Sequence, residues 1–216
     1  MRRRLLLLGA SGFAREVLWM ADDIAAAARE WDVAGFLDDD RDGARASLAA
    51  MGVDLPVLGT IRDHVPGSDE VFLPAIGSNR ARLAIGSSLL DRGAAFITLV
   101  HPTARVHRSA SIGTGVVIGP LACVAPKAAV GQFSVLNPSA SLREDVVVGE
   151  GSFVGARCEL MSGAVLERGT FLGSHVTVHP HVRVAAFATI GVGSVVLRRV
   201  AAGSTQLGVP ARPLAV

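Results

Sequence analysis

The sequence predicts a small parallel α/β domain followed by a β-solenoid, and three observations carry that expectation. An aliphatic residue stands at every sixth position from Val106 to Val196, sixteen positions without a slip. Near the start of the chain, an apolar run is followed by a glycine turn and a segment of helical spacing. The third is composition: half of the 216 residues are apolar, yet only 5% are aromatic and there is no Tyr. A core of Val, Ala, Leu and Ile fills thin, closely spaced layers more readily than large aromatic plugs do. Length alone does not separate one large domain from two small ones, so the join has to be marked in the residues themselves.

Bulk properties exclude several classes. The net charge of +2 is small and the arginines are scattered, so there is no electrostatic footprint for nucleic acid. The opening Met1-Arg2-Arg3-Arg4-Leu5-Leu6-Leu7-Leu8 imitates a secretion signal, but its apolar run ends at Gly9, too short for an h-region or a membrane span. It reads instead as a strand buried on both faces, and no membrane partner is expected. Cys123 and Cys158 form no disulfide framework, which fits a reducing cytoplasm.

Leu5 to Leu8 is the first strand, Gly9-Ala10-Ser11-Gly12 the turn, and Ala14 to Ala21 the first helix, with Val17, Leu18 and Ala21 on one face. In such a turn glycines let the backbone approach a ligand, and N–H groups at the helix start attract phosphate. Trp31 to Phe36 is a second strand, ending in Leu37-Asp38-Asp39-Asp40, where a carboxylate can meet a ribose hydroxyl. The turn offers G-x-x-G and not G-x-G-x-x-G, which disfavours a nicotinamide cofactor and leaves a plain tight turn as the competing reading. Further strands are expected at Val71 to Ile76, before Gly77-Ser78-Asn79, and at Ala95 to Val100, with a helix over Arg80 to Leu90 burying Leu83 and Ile85. A four-stranded parallel sheet with two or three helices accounts for residues 1–100, closing at His101-Pro102, where proline ends the strand. Residues 101–216 form the second domain.

Period six fits neither an α-helix nor a long strand, because each repeat must contain a short flat segment and a corner; the chain must coil. The aliphatic residue points inward. Two positions earlier a small or β-branched residue recurs, as at Ala104, Ala122, Ser134, Ser152 and Ser194, and one position later glycine recurs, as at Gly113, Gly131, Gly149 and Gly173. The expected role of those glycines is to relieve the corner, where a side chain or a negative φ is strained. Stacked coils lie about 4.8 Å apart, the usual strand separation.

These hexads resemble the hexapeptide-repeat acyltransferases, and the match extends to Gly191-Val192-Gly193-Ser194-Val195-Val196 and Gly208-Val209-Pro210-Ala211-Arg212 at the end of the chain. The resemblance implies three hexads per turn, a left-handed triangular β-helix, a homotrimer, and acyl-CoA bound between neighbouring prisms. Gly9 to Gly12, Phe36 to Asp40, Val57-Leu58-Gly59, Ala75 to Arg80 and His101 to Ala104 narrow it to one branch, sugar N-acetyltransferases described as sialic acid O-acetyltransferase-like. Their small Rossmann-like domain binds a nucleotide-linked amino sugar. The resemblance therefore implies acetyl-CoA as acyl donor, contacted by Ser162, Gly173, Ser174, Val192, Gly208 and Pro210. It implies a sugar nucleotide contacted by Gly9, Ser11, Gly12, Asp38, Asp39 and Asn79, and no metal.

Acetyl transfer to an amine needs a base for the amine's proton and donors for the tetrahedral oxyanion. Where the family places His, two positions after an inward aliphatic residue, this chain has Glu144, with Asp145 at the family's acidic position. Phe13 stands where many relatives carry another His. Three readings follow: Glu144 is a base whose pKa is raised by burial or by Asp145; His175, His179 or His181 takes its place, a neighbouring subunit contributing it; or the prism no longer runs the usual reaction. His179 lies two coils from Arg143, roughly 10 Å by strand spacing. The expected function is acyl-CoA-dependent N-acetylation of an amino sugar. Its rivals are a catalytically silent trimeric binding protein and an O-acyltransferase with another acceptor.

Overall fold

The computed structural model describes residues 2–214, so Met1, Ala215 and Val216, which the expected domain spans include, lie outside the described residues. The chain divides into two compact units, Met1–Leu99 and Val100–Val216.

In the first unit, β1 (Arg3–Leu8), β2 (Trp31–Leu37), β3 (Val57–Gly59) and β4 (Glu70–Pro74) form a parallel sheet in the order β3-β2-β1-β4. Leu5 to Leu8 are fully buried, as a central parallel strand requires; each such side chain contributes about 2 kcal/mol by its removal from water. Helix α1 (Gly12–Asp22) follows β1 and turns Ala14, Val17, Met20 and Ala21 onto the sheet. Helix α2 (Arg41–Ala50) is started by Asp40, whose Oδ1 accepts from Gly43 N–H at 3.0 Å. Helix α3 (Asn79–Asp91) starts at Ser78, whose hydroxyl accepts from Ala81 N–H.

Two details differ from expectation. Ala95 to Val100 is not the fourth strand of the sheet, which is Val57–Gly59 on the opposite edge. The later segment meets β4 only at a Phe72–Phe96 bridge, through Phe72 N–H to Ala95 O and Ile97 N–H to Phe72 O. The next donor due in that ladder is Pro74, which has no N–H, so pairing stops there. On α3, Leu83 is buried and Ile85 half-buried, but the largest fully buried side chain of the unit is Arg82.

The second unit is a left-handed parallel β-helix. Every rung pairs with the rung eighteen residues away: Leu142 aligns with Val124 and Leu160, Val148 with Val130 and Leu166, Leu136 with Ile118 and Val154. Three hexads thus make one coil, and the inward ladder from Ile118 to Val196 supplies its core, which is nearly free of solvent. Past Val196 the repeat shortens: Val184 bridges Val200 and Thr189 pairs with Thr205, sixteen residues apart in both cases.

The corner glycines do a different job from the one expected. Gly113, Gly131, Gly149, Gly155 and Gly173 do not have positive φ; a Cβ on any of them would lie 2.5 to 2.8 Å from backbone atoms of the next coil. Left-handed φ falls two positions later, at every sixth residue from Gly115 to Gly193, and on Leu121, Lys127, Phe133, Ser139, Asp145, Arg157, His175, His181 and Phe187 it is borne by ordinary side chains. Close stacking selects the glycine, while the corner angle is imposed on whatever residue stands there.

Candidate active site

Each prism edge carries four short columns of residues eighteen apart. On the edge that follows the Leu142 face, the outermost columns read Pro126, Glu144, Ser162, Pro180 and Lys127, Asp145, Gly163, His181. Glu144 and Ser162 are therefore one coil apart, and Ser162 Oγ donates to Glu144 Oε2 at 3.1 Å. Asp145 is exposed, in left-handed conformation at φ 59°, and its N–H donates to Pro126 O. Glu144 is exposed as well. Its own backbone N–H and the Ser162 hydroxyl, aided by Arg143, hold its carboxyl below the ordinary glutamate range. The expectation that burial or Asp145 raises this group is corrected: neither acts strongly enough on an exposed corner, so Glu144 is an anion at neutral pH.

Beside this corner lies a cavity of about 520 Å³ lined by Arg105, His107, Cys123, Pro126, Ser141, Arg143 and Glu144, among others. Ser109 N–H donates to His107 Nδ1 at 3.2 Å, which leaves Nε2 as the protonated nitrogen of the neutral ring. Apart from Glu144, the cavity's charged side chains are the guanidinium donors of Arg105 and Arg143. Arg105 and His107 were missed in the sequence, although the eighteen-residue stacking that places Ser162 beside Glu144 also places His107 in the column of Arg143.

The remaining residues expected at the cofactor divide between two places. Gly173, Ser174 and Val192 lie on a second edge, the one preceding the Val178 and Val196 rungs, so one prism does not gather them with Glu144. Gly208 and Pro210 belong to a tail that crosses from one edge to the other: Gly208 N–H donates to Ser194 Oγ at 3.1 Å, and Pro210 meets Leu197, Arg198, Arg199 and Arg212 around a hollow of about 260 Å³. Cys158 is buried and donates to Gly173 O, burial pushing its thiol up to about 11; Cys123 is exposed, and both are free.

In the first unit, the turn after β1 is shaped from within. Gly9, at φ 91°, donates to Leu37 O, and a Cβ there would press on Ile76. Asp38, expected at a ribose, accepts from Ala10 N–H at 2.9 Å and Asp40 N–H at 3.0 Å, so it ties the turn to the end of β2. Asp39 accepts from Arg62 N–H. Asn79 turns inward, its Oδ1 accepting from Arg82 Nη2 at 3.0 Å, and Arg82 Nη1 holds Ile76 O at 2.7 Å. Burial lowers the Arg82 guanidinium to about 10; these hydrogen bonds offset part of the penalty and fix the β4–α3 turn. Ser11 and Gly12 stay exposed at the start of α1, the Ser11 hydroxyl makes no cap bond, and a Cβ at Gly12 would meet nothing within 4 Å. The turns after β1 and β4 flank the point where strand order reverses, the usual ligand crevice of such sheets.

Fold and site together define the class: the chain has the architecture of the hexapeptide-repeat, left-handed β-helix proteins that carry an N-terminal Rossmann-like domain. Residues 4–89 match the PglD N-terminal domain and residues 96–200 the GMPPB C-terminal domain. No curated protein sequence matches significantly. Among solved structures, PerB from Caulobacter crescentus, in complex with CoA and GDP-perosamine, is 25% identical, with 98% of this chain and 97% of that chain covered and a TM-score of 0.84. The acetyltransferase domain of PglB from Neisseria gonorrhoeae is 24% identical, covering 99% and 100%, with a TM-score of 0.86. WeeI from Acinetobacter baumannii is 22% identical, covering 97% and 99%, with a TM-score of 0.81. Among the described residues no helix is long and apolar enough to cross a membrane, and no group of three or more His, Cys, Asp or Glu could hold a metal ion.

Proposed function

We propose that this chain is an acetyl-CoA-dependent N-acetyltransferase acting on a nucleotide-linked amino sugar, working as a homotrimer in the cytoplasm. The observation that carries the reading is likeness over essentially the whole of both chains to PerB, which was crystallised with CoA and GDP-perosamine. Residue geometry supports it. The turn formed by Gly9, Ser11 and Gly12 offers open backbone at a helix start for a phosphate, with Asp38, Asp39 and Asn79 holding the surrounding loops. Glu144 and Asp145 supply negative charge that attracts the acceptor's ammonium at the edge of the 520 Å³ cavity. Ser162, Gly173, Ser174, Val192, Gly208 and Pro210 are assigned to acetyl-CoA. Their division between two edges of one prism is the arrangement a trimer accommodates, because the edge of one subunit then faces a different edge of its neighbour. The two free cysteines are compatible with a reducing compartment.

In the reaction the ammonium first gives one proton to solvent; the neutral amine nitrogen then attacks the thioester carbonyl, the tetrahedral oxyanion collapses with loss of the second proton, and the thiol departs. Glu144, ionised and exposed, orients the amine and is a poor final home for its proton. That same observation favours the second reading, a trimeric binding protein without catalysis. Incubating the purified protein with acetyl-CoA and a set of UDP- and GDP-linked amino sugars, and following free thiol, decides between them: thiol release that depends on the sugar is expected, and its absence with every acceptor would overturn the enzyme. Thermal shifts with CoA and UDP separately then report whether binding survives.

A further inference from the structure

We propose that His181 is the proton acceptor of this chain, working within the same subunit as Glu144. The inference rests on the acyl-transfer reading and deepens it by locating the base that the family's missing histidine would have supplied.

By backbone position His181 is two coils from Asp145, about 10 Å along the prism by strand spacing. Its left-handed φ of 60° turns the side chain back over the preceding coil, where the stacked residue is Gly163. Any Cβ on Gly163 would overlap the imidazole, with Nδ1 nearest and Cε1 at 2.8 Å. The ring therefore packs over Gly163, whose backbone is one coil, or about 5 Å, from that of Asp145. Phe187 sits over Gly169 in the same way, so this is what a ring at a left-handed corner does when the residue eighteen earlier is glycine. Backbone bonds fix the three layers: Gly163 N–H donates to Glu144 O at 3.0 Å and His181 N–H to Ser162 O at 3.1 Å. The Nδ1–Cε1 edge is against Gly163, which leaves Nε2 on the far side of the ring.

An anionic carboxylate and an imidazole in adjacent layers divide the work. Glu144 holds the amine; as its nitrogen bonds to the thioester carbon, His181 Nε2 takes the N–H proton. When the C–S bond breaks, the imidazolium returns that proton to the departing sulfur, giving amide and free thiol. The charged and titratable groups around the ring are Glu144, Asp145 and Arg143 on the coil before, His179 on its own corner, and Arg198 and Arg199 on the coil after.

Four variants test the assignment by acetyl-transfer kinetics from pH 5 to 9. His181→Asn retains a residue tolerant of left-handed φ, and Gly163→Ala displaces the ring while leaving it in the chain. His179→Asn and Gly203→Ala are the controls, the latter adding a methyl at φ 68° where nothing lies within 4 Å. His181→Asn and Gly163→Ala are expected to lower kcat by about 100-fold with the KM for acetyl-CoA within about twofold. In the wild type kcat is expected to fall on the acidic side, as it must when a general base is protonated, and His181→Asn removes that limb. The controls stay within about twofold of wild type. A His181→Asn enzyme with wild-type kcat and an intact acidic limb overturns the role of His181 alone. A wild type that transfers to no acceptor overturns the acyltransferase reading, and this inference with it.

Discussion

Ser162 Oγ hydrogen-bonds Glu144 Oε2 at 3.1 Å from one coil further along the same edge, so two residues eighteen apart form one polar corner. The bond, with the carboxylate's own backbone N–H, keeps Glu144 ionised. Ser162→Ala is expected to move the Glu144 carboxyl part of the way back up, since the larger influence, the backbone N–H, remains. Carboxyl-carbon NMR titration of the wild type and the variant measures this, and an unchanged titration would remove Ser162 from the corner's electrostatics.

The solenoid inverts the usual expectation for glycine. At Gly149 an added Cβ would lie 2.6 Å from Arg168 N and Glu167 C, backbone atoms of the next coil that cannot turn aside; Gly149→Ala is expected to destabilise the fold by about 3 kcal/mol. Lys127 stands at φ 60°, where an L side chain is strained, and is exposed. Lys127→Gly is expected to stabilise by about 0.5 kcal/mol, relief of the left-handed strain slightly exceeding the entropy lost from the unfolded chain. Chemical denaturation of both variants measures the pair, and equal signs would refute the division of labour between the two corner positions.

The N-terminal unit carries a buried carboxylate whose stabilising effect depends on pH. Burial pushes Glu70 up, but Gly67 N–H at 2.9 Å, His64 Nε2 at 2.7 Å and Arg4 at 3.2 Å outweigh it, and its carboxyl is net lowered. A depressed folded pKa contributes stability that is complete above the unfolded value, about pH 4.3, and is lost as the pH falls through the folded one. Glu70→Gln is expected to be about 2 kcal/mol less stable than wild type at pH 7, the difference closing below about pH 4. Denaturant midpoints across that range test it; a difference that is constant with pH would show that charge is not the cause.

The sixteen-fold aliphatic period was sufficient to specify coiling, because only a chain that returns to the same face every eighteen residues buries each of those side chains. Leu5 to Leu8, the glycine turn and α1 were equally legible, since apolar runs and helical spacing are local signals. What the residues could not disclose by themselves was anything set by stacking between coils: that Gly149 is glycine for close approach and Asp145 carries the corner angle, or that Ser162 reaches Glu144. The same holds for contacts between loops. Asp38 and Asn79 look like ligand residues in sequence, and only the folded sheet shows them holding Ala10 and Arg82. His181 is the sharpest instance, distant by backbone count and brought a coil nearer by its left-handed φ over Gly163. Sequence fixes periodicity, which is one-dimensional; the register of side chains between layers exists only once the layers are stacked.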